Sequence, residues 1–535
     1  MKTIILTCTI CTLLVSNTLF SQLEWGVSFG DVFYERSKEI LIDNSGNSYM
    51  IGEFSGNVDL DPGVGSDVHS TLNSYGGYIS KLDPSGNFIW AKSFTSASGV
   101  CSVNSFCIDN LGNIYLTGFF SGIVDFDPGS SIVSLNGGIG NGLFILKLDS
   151  SGNFIWAKQS STVANSGNVI GHSIDHDTFG NIVVGGSFSS SQAVDFDPGP
   201  GIENLISTGS SLQDIFILKL DSNGDFIWVN KFGGVGDDRY LEIAIDNADN
   251  IAATGIFYDT VDFDPSGLIY NLIAPSNDRN VVVLKLDSNG NFVWAGSIGN
   301  FAGDYIDPSD IAFDNSNEIV VSGSYAGSID FDTGASTVIM SSNGATDGFV
   351  LKLDAAGNYL WSNTIGGNDQ DEVNSIDFDN TNNIYLAGVF MSTVDFDSGT
   401  STSNLTATGV FDGFVLKTNS SGIYMNAFSL GGTGITNPSQ IKLDNSGNIF
   451  LCGSFSETCD LDPSVGTVSY TSNGDFDSFA CKLQSVVSIN ELELSQKKLV
   501  KIVDYLGREC EPVYNQPLIY IFEDGSTQRV YKVNF

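Results

Sequence analysis

The stretch Ile114–Asp149, which runs from IYLTGFF through VDFDPG to LFILKLD, returns in recognisable form seven times along the chain. Its clearest marker is a pair of aspartates two residues apart, and successive first aspartates lie 66, 70, 67, 68, 65 and 65 positions apart. The seven pairs are Asp59 and Asp61, Asp125 and Asp127, Asp195 and Asp197, Asp262 and Asp264, Asp330 and Asp332, Asp395 and Asp397, and Asp460 and Asp462. A fixed period of this size indicates one supersecondary unit per repeat, too small to bury its apolar face alone.

Each repeat contains four short apolar runs separated by turn sequences, a pattern typical of antiparallel strands. In the second repeat the runs are Val103–Ile108, Asn113–Phe120, Leu143–Leu148 and Asn153–Lys158. Turns of the type DxxGN join the first two runs and the last two, because Asp bonds nearby backbone N–H groups while Gly and Asn tolerate a left-handed φ. Seven such units predict an all-β fold, a seven-bladed β-propeller of four-stranded antiparallel blades.

The two ends of the repeat array predict how the ring closes. The seventh repeat stops after its third strand, at Phe479–Leu483, whereas Leu23–Phe29 is a single strand that carries Trp25. The N-terminal strand should therefore complete the seventh blade, which also removes two exposed sheet edges. The Val103–Ile108 type of strand is then innermost, and the DFDPG loops share one face of the ring with the links between blades.

Composition divides the chain into three segments. Residues 1–21 combine Lys2, a short apolar run over Ile4–Val15 and a polar end, which is typical of a cleaved export signal and too short for a stable membrane span. Residues 22–487 form the predicted propeller. In residues 488–535 the period disappears and Lys and Arg become frequent, and alternating apolar residues predict a small β-sandwich-like domain.

The charge balance limits the classes of partner. With 22 Lys and Arg against 62 Asp and Glu, the formal net charge is −40. This excludes nucleic acid as the expected partner and argues against docking on anionic lipid. An exported location would permit disulfides. The candidates for local bridges fall in two groups: Cys101 with Cys107, and Cys452, Cys459 and Cys481.

The repeat resembles the bacterial β-propeller repeat (SBBP) family, whose units read DxxGNIYxTGxF, a DAFxxKLD-like run and GNxxWxxxxGG. The match is clearest at Asp246–Phe257, Phe216–Asp221 and Trp228–Asp238, and it extends over nearly all of residues 22–483. The resemblance implies the propeller fold and export. It names no ligand, because members of this family are mostly uncharacterised exported proteins.

The C-terminal segment resembles the sorting domain of the type IX secretion system of Bacteroidetes. The matching pieces are Leu499–Glu509, Pro517–Phe522, Asp524–Gly525 and Val530–Val533, although the chain ends on Phe535 instead of a basic residue. The resemblance implies an address that the secretion machinery reads and can remove after export. A small domain that caps the propeller is the alternative.

The Asp pairs are the candidate metal ligands. Two carboxylates two residues apart, followed by Pro-Gly, place oxygen ligands for Ca²⁺ on a rigid turn, and a bound cation would relieve their mutual repulsion. All fourteen aspartates named above are therefore candidate Ca²⁺ ligands. In the alternative interpretation each Asp caps its own turn and Pro-Gly reverses the chain. The absence of full EF-hand spacing and the replacement of Pro or Gly in four repeats, by Thr333, Ser398, Ser266 and Ser464, favour the alternative.

A Trp ends the fourth strand of six repeats, at Trp25, Trp90, Trp156, Trp228, Trp294 and Trp361, whereas the remaining repeat has Asn426. The Trp docking motifs of quinoprotein propellers have a similar order of Asp, Gly and Trp. Here the spacing of Asp83 and Gly86 is one residue shorter and the blades number seven, so a quinone cofactor is not expected. Regular recurrence favours Trp packing between blades over exposed sugar-stacking platforms.

The sequence offers little material for catalysis. Of its three His residues, His172 and His176 lie four apart on a predicted strand, but no third zinc ligand accompanies them. Nucleophile elbows, phosphate loops and Cys–His constellations are missing from the sequence. A glycosidase-type carboxylate pair stays open as an alternative, although identical carboxylates in every blade lack the asymmetry that an active site needs.

We therefore expect an exported, non-catalytic monomer, secreted or at the cell surface, that presents one acidic, loop-rich face to a protein or glycan. No cofactor besides Ca²⁺ and no membrane span in the mature chain are expected. The links between blades differ, with Asp237–Tyr240 in one and Phe301 and Tyr305 in another, which favours a recognition face. Two alternatives stay open: a secreted carbohydrate-active hydrolase or lyase that uses channel carboxylates, and a purely structural surface protein.

Overall fold

The computed structural model describes residues 22–162, 167–209, 212–275, 278–299, 304–464, 466–484, 499–504, 508, 516–522 and 527–532. The predicted export signal at residues 1–21 and the boundary predicted at residues 487 and 488 lie outside these ranges. All regular elements within them are β-strands. The described part of the chain contains no helix with the length and apolar character needed to cross a membrane.

Seven antiparallel four-stranded sheets form the blades, and the first strands of neighbouring blades contact one another around the centre. The prediction of a seven-bladed β-propeller is confirmed. From the inner to the outer strand, the blades are Glu35–Ile42, Ser48–Asp59, Val68–Leu82 and Phe88–Phe94 in blade 1; Cys101–Ile108, Ile114–Asp125, Ser134–Leu148 and Phe154–Gln159 in blade 2; Asn168–His176, Ile182–Ser189, Asp214–Leu220 and Phe226–Phe232 in blade 3; Arg239–Ile245, Ile251–Tyr258, Arg279–Leu286 and Phe292–Ile298 in blade 4; Tyr305–Phe313, Ile319–Ala326, Asp347–Leu353 and Tyr359–Ile365 in blade 5; Glu372–Phe378, Ile384–Phe390, Asp412–Thr418 and Tyr424–Gly432 in blade 6; and Thr436–Leu443, Ile449–Phe455, Asp477–Gln484 and Gln22–Phe29 in blade 7.

The N-terminal strand closes the ring as predicted. Gln22 lies opposite Gln484 and Phe29 opposite Ser478, in an antiparallel register with one bulge. Blade 7 is thus assembled from both ends of the propeller segment. Its outer strand is held by hydrogen bonds and packing, with no turn between it and the third strand.

The apolar core lies between the blades. In most blades the second and third strands are buried almost throughout, as in Ile384–Phe390, because a neighbouring sheet covers each face. The apolar clusters accordingly combine residues of adjacent blades; Ile215 of blade 3, for example, belongs to one cluster with Val282 of blade 4. Burial of one such side chain contributes about 1.5–3 kcal/mol relative to an exposed position.

A short ribbon between the second and third strands of each blade was not predicted. In blades 1 and 2 the long second and third strands continue into it. In blades 3 to 7 it is a separate strand pair: Val194–Asp195 with Asn204–Leu205, Thr260–Asp262 with Asn271–Ile273, Ser328–Asp330 with Ile339–Ser341, Thr393–Asp395 with Asn404–Thr406, and Thr458–Asp460 with Ser469–Thr471. The DFDPG segment, or its variant in each repeat, connects the two sides of every ribbon.

The C-terminal segment contains a three-stranded antiparallel sheet of Leu499–Asp504, Gln516–Phe522 and Thr527–Lys532. It belongs to a compact unit separate from Ser21–Ser485. The strands overlap three of the stretches that resemble the sorting domain, and the fourth, Asp524–Gly525, lies outside the described residues.

Candidate ligand-binding face

The aspartates of the DFDPG loops cap their own turns. In all seven repeats Oδ1 of the first Asp accepts hydrogen bonds from the backbone N–H groups two and eight residues later, as Asp59 does from Asp61 and Asp67 at 3.2 and 2.7 Å. Oδ1 of the second Asp accepts from the N–H two residues later, at 2.8 Å between Asp127 and Gly129. Hydrogen bonds within the turns therefore occupy Oδ1 of each of these carboxylates. Ca²⁺ binding by the pairs stays a prediction.

The residue between the two aspartates, Phe or Leu, is buried. Phe126 of blade 2 stacks on Phe94 of blade 1 with ring centroids 5.9 Å apart, and blades 3 and 4 repeat this contact. The ribbon also pairs with the chain that leaves the preceding blade, as Asp460 does with Gly431. The DFDPG segment therefore fastens one blade to the next.

The Trp series packs blade against blade, as predicted. Each of the six indoles lies against the turn glycine of the next blade, and a Cβ at Gly357 would stand 2.7 Å from Trp294. Trp294 also donates its Nε1–H to the carbonyl of Ala355 in the same turn, at 3.2 Å. Blade 7 has no such turn, because its third and outer strands come from opposite ends of the segment. Asn426 of blade 6 therefore has no turn glycine to cover, which explains the missing Trp.

A ring of hydrogen bonds that was not predicted joins the inner strands around the central channel. At one fixed position of each inner strand, a side chain accepts the backbone N–H of the next blade: Glu39 Oε2 from Phe106 at 3.0 Å, and Ser105 Oγ from Ile174 at 3.2 Å. The same bond is made by Ser173, Asp310, Ser375 and Gln440. Glu242 of blade 4 is the exception, since no described hydrogen bond joins it to the backbone of blade 5.

The carboxyl groups of Glu39 and Glu242, on the inner strands of blades 1 and 4, resist ionisation. Burial raises the pKa of Glu39 to about 7. Burial, together with the charges of Glu39 and Asp310, raises the pKa of Glu242 well above its ordinary range. Burial disfavours the Lys442 ammonium, but the carboxylates of Asp377 and Asp310 outweigh it and raise the pKa of Lys442. The carboxyls of Glu39 and Asp310 are committed to inter-blade hydrogen bonds, which supports a structural role for them.

Blade 4 breaks the repeat pattern where its inner strand begins, at the channel opening on the DFDPG face. Two consecutive residues, Tyr240 and Leu241, lack a partner on the second strand, whereas each other inner strand has one such residue. Tyr240 has a φ of 58°, and 48% of its surface is exposed. The other described non-glycine residues with positive φ occupy turn positions that hold Gly in other blades. Tyr240 does not, and a bulky residue at positive φ persists only where its surroundings impose it.

The Tyr240 ring is held by charged and polar neighbours. The guanidinium of Arg239 lies over it, 5.0 Å from the centroid, and pairs with Asp237 at 3.2 Å. The imidazole of His172 lies 5.9 Å from the ring and bonds through Nε2 to Ser187 Oγ at 2.9 Å. Burial lowers the pKa of His172 to about 4, so it faces the tyrosine as a neutral imidazole.

A second group of the same composition joins blades 4 and 5, with Arg279 on the third strand of blade 4 and Tyr305 and Asp307 on the inner strand of blade 5. The guanidinium of Arg279 lies 4.2 Å from the centroid of Tyr305 and contacts both carboxylate oxygens of Asp307, at 3.1 and 3.3 Å. The Tyr305 hydroxyl donates a hydrogen bond to the same carboxylate. Tyr305 is 39% exposed. We call the two groups together, Asp237, Arg239 and Tyr240 with Arg279, Tyr305 and Asp307, the tyrosine sector.

The other sequence candidates do not assemble into a reactive site. His176 pairs with Asp175 at 3.5 Å instead of joining His172 on a metal. Within the described ranges no three His, Cys, Asp or Glu residues are grouped so that they could hold a metal ion. The cysteines that were candidates for local bridges are buried free thiols: Cys101, Cys107, Cys452, Cys459 and Cys481.

Sequence reasoning noticed Tyr240 and Tyr305 only as members of variable loops, and it overlooked Arg279 and Asp307. A usable signal was the rarity of arginine. The chain has five Arg residues, of which Arg36, Arg239 and Arg279 fall in the propeller, and two of these three stand beside the exposed tyrosines.

No family model matches the chain, so the resemblance to the SBBP family and to the sorting domain stays a prediction. The sequence is similar to an uncharacterised WD repeat-containing protein, L264, of Acanthamoeba polyphaga mimivirus. The two are 24% identical over 507 residues, which cover 81% of this chain and 36% of that protein. The chain thus spans little more than a third of the length of the curated relative that it matches.

Solved structures show only a distant likeness. The WD40 domain of Neurospora crassa Pan2 has 11% identity and a TM-score of 0.33, over 86% of this chain and 97% of that one. Sqt1 from Chaetomium thermophilum has 10% identity and a TM-score of 0.37, over 96% and 100%. A protein of unknown function from Bacteroides caccae has 9% identity and a TM-score of 0.28, over 63% of this chain and 93% of that one. At such scores the propeller assignment rests on the strand pairing alone.

Proposed function

We propose that this chain is a non-catalytic interaction module that binds its ligand at the channel opening on the DFDPG face, over blades 4 and 5. The observation that carries the proposal is the strained, half-exposed Tyr240. Backbone strain of this kind clusters at functional sites. Aromatic side chains held rigidly at a surface bind at low entropic cost, because little freedom is left to lose.

The regular parts of the ring support this location by contrast. The DFDPG ribbons, the Trp series and the inner-strand ring repeat from blade to blade and fasten neighbouring blades together. Recognition of a single ligand needs asymmetry, and the tyrosine sector departs from the repeat at Tyr240, where the inner strand leaves two consecutive residues without a partner. Its two aromatic residues also lie at the start of inner strands, directly after links between blades that vary in sequence.

Export, secretion or display at the cell surface, and a monomeric state belong to the same proposal. Support comes from the apolar run near the N-terminus, the acidic composition and the resemblance of residues 488–535 to a sorting domain. Ca²⁺ bound by the second carboxylate oxygens of the DFDPG pairs would stiffen the ligand-binding face. The type IX secretion machinery is the partner that the C-terminal resemblance implies.

Glu242 is the feature that favours the second candidate, a secreted hydrolase. Its pKa is raised by burial and by neighbouring carboxylates, as in a general acid, and no backbone N–H of blade 5 engages it in the described structure. Binding remains the preferred function, because the exposed aromatic residues lie at the channel opening.

The test compares binding by variants on the two faces. Wild-type protein is passed over a panel of immobilised polysaccharides and extracellular proteins, beside a Tyr240→Gly, Tyr305→Ala double variant. Phe179→Ala is the matched control, because Phe179 is 83% exposed in a DxxGN turn on the opposite face. We expect a panel member that wild type and Phe179→Ala retain and the double variant loses. The proposal is wrong if no member binds, if both variants bind equally, or if a panel polysaccharide is cleaved and Glu242→Gln abolishes cleavage.

A further inference from the structure

The charges of the tyrosine sector are already paired within the protein. Arg239 pairs with Asp237, and Arg279 pairs with both oxygens of Asp307. An anionic ligand would therefore meet no unpaired guanidinium here, and it would approach a chain of net charge −40. A cationic ligand would have to compete with two arginines for Asp237 and Asp307. The neighbouring carboxyl of Glu372 is a weaker attraction, because burial and the charge of Asp307 raise its pKa. The pairing thus favours a ligand without charge.

The aromatic rings of the sector supply flat apolar surfaces. A guanidinium lies over one face of each ring at 4.2–5.0 Å, and 48% of Tyr240 and 39% of Tyr305 stays exposed for contact with a ligand. A pyranose ring presents a face of C–H groups that packs on such a surface, while its edge carries hydroxyls. The rings lie on neighbouring blades, so a ligand that stacks on both must extend from one blade to the next, as a chain of several sugar units can.

The polar atoms around the rings match the edge of a sugar. Vicinal hydroxyls act as donors and acceptors at once, so they need both kinds of partner side by side. The sector supplies guanidinium donors next to carboxylate acceptors. A further polar chain leads to Asp237: Ser187 Oγ donates to Gln213 Oε1 at 2.6 Å, and the Gln213 N–H donates to Asp237 at 3.1 Å. These bonds hold the acceptors in place before a ligand arrives.

We infer that the ligand of the tyrosine sector is a neutral polysaccharide chain, stacked on Tyr240 and Tyr305 and hydrogen-bonded along its edge by the paired Arg and Asp residues. The inference rests on the proposed function, since it names the ligand class for the same site. Binding to a neutral chain releases no counterions. Its affinity should therefore be nearly independent of salt, in contrast to binding of charged partners.

The test is affinity electrophoresis of the full chain in gels that contain soluble polymers. The neutral probes are glucan, mannan, galactan and xylan; polygalacturonate is the acidic probe and polylysine the basic one. We expect retardation by at least one neutral polymer that is unchanged between about 0.05 and about 0.5 M NaCl. Tyr240→Gly and Tyr305→Ala should each weaken it by about tenfold or more, whereas Phe179→Ala, on the opposite face, should bind within about threefold of wild type.

The possible results distinguish the class of the ligand from the location of the binding site. Retardation only by polygalacturonate or polylysine, salt-sensitive and dependent on Tyr240, would overturn the neutral ligand and leave the binding site standing. Retardation that Tyr240→Gly does not weaken would overturn both, because the ligand would then bind elsewhere. The absence of retardation by every probe would also reject the neutral polysaccharide.

Discussion

At the scale of the residue, most positions with positive φ lie in the turns of the repeat. The DxxGN turns use Gly, or Asn and Asp in its place, and all of these accept the left-handed conformation at small cost. Tyr240 adopts the left-handed conformation outside a turn. No local sequence pattern predicts the positive φ of Tyr240, since RYLEIAI has the alternating pattern of an ordinary strand.

Tyr240→Gly should leave stability within about 1 kcal/mol of wild type. Glycine relieves the left-handed strain, worth about 1–2 kcal/mol, and this offsets the larger entropy of the unfolded chain. The measurement is urea denaturation. A loss of more than about 3 kcal/mol would mean that the tyrosine ring is a structural support instead of a ligand platform.

Gly357→Ala should destabilise the protein more than Gly267→Ala. Both glycines have positive φ, of 83° and 85°, but a Cβ at Gly357 meets the indole of Trp294 at 2.7 Å while a Cβ at Gly267 meets nothing within 4 Å. Gly267→Ala isolates the backbone strain, and the clash should add about 1–3 kcal/mol. Chemical denaturation measures the free energy of unfolding of both variants. Equal losses of stability would show that Trp294 moves to accommodate the added methyl group at no cost.

At the scale of the element, the sequence predicted the four strands, the DxxGN turns and the closure of blade 7, because each has a local pattern. The ribbons were missed, since strands of two or three residues are too short to show a period. The inner-strand ring was missed for another reason. Its partners lie about one whole repeat apart, so Ser105 and Ile174 look unrelated until the blades are placed side by side.

Ser105→Ala should cost about 1–3 kcal/mol, because it leaves the Ile174 N–H without an acceptor in a buried setting. Ser439 on the inner strand of blade 7 is the matched control. Its hydroxyl is buried without a hydrogen-bond partner, so Ser439→Ala should be neutral or stabilising. Guanidinium chloride denaturation of both variants measures the difference. The same loss in both would show that the ring bond contributes nothing beyond the hydroxyl itself.

At the scale of the whole molecule, two populations of carboxyl groups set the dependence of stability on pH. Hydrogen bonds from Asn and backbone N–H groups overcome partial burial and lower the pKa of the turn aspartates, such as Asp43 and Asp109. Burial raises the pKa of other carboxyls, of Glu35 to about 8, Asp238 to about 7 and Asp371 to about 6. The first population stabilises the fold only above the ordinary Asp pKa. The second stabilises it at low pH, and this contribution is lost as pH rises through 6 to 8.

The free energy of unfolding should therefore be higher near about pH 5 than near about pH 8, and should fall again below about pH 4. Glu35→Gln keeps an acceptor for the Asp31 N–H and removes the titrating proton, so it should flatten the decline between about pH 6 and 8. Urea denaturation across the pH range measures both curves. Stability that rises steadily to pH 8 would contradict this account.

Calcium binding by the DFDPG pairs has its own test at this scale. A thermal melt with excess EDTA is compared with one in millimolar Ca²⁺ at fixed ionic strength. Binding to the folded state alone stabilises by about 2.7 kcal/mol at a hundredfold excess over Kd. A rise in Tm specific to Ca²⁺ would establish the carboxylates as candidates for direct ligation, to be checked by Asp→Asn variants. Identical Tm values under the two conditions would show that the aspartates only cap their turns.

The central claim is that the channel opening over blades 4 and 5 is the ligand-binding site, and hydrogen exchange tests it most directly. Exchange of the full chain is followed by mass spectrometry with and without the polymer that retards it. We predict that protection is confined to backbone amides of residues 237–243 and 304–310, which frame Tyr240 and Tyr305. Protection of the DxxGN turns instead, or of blades 1, 2 and 7 alone, would contradict the claim.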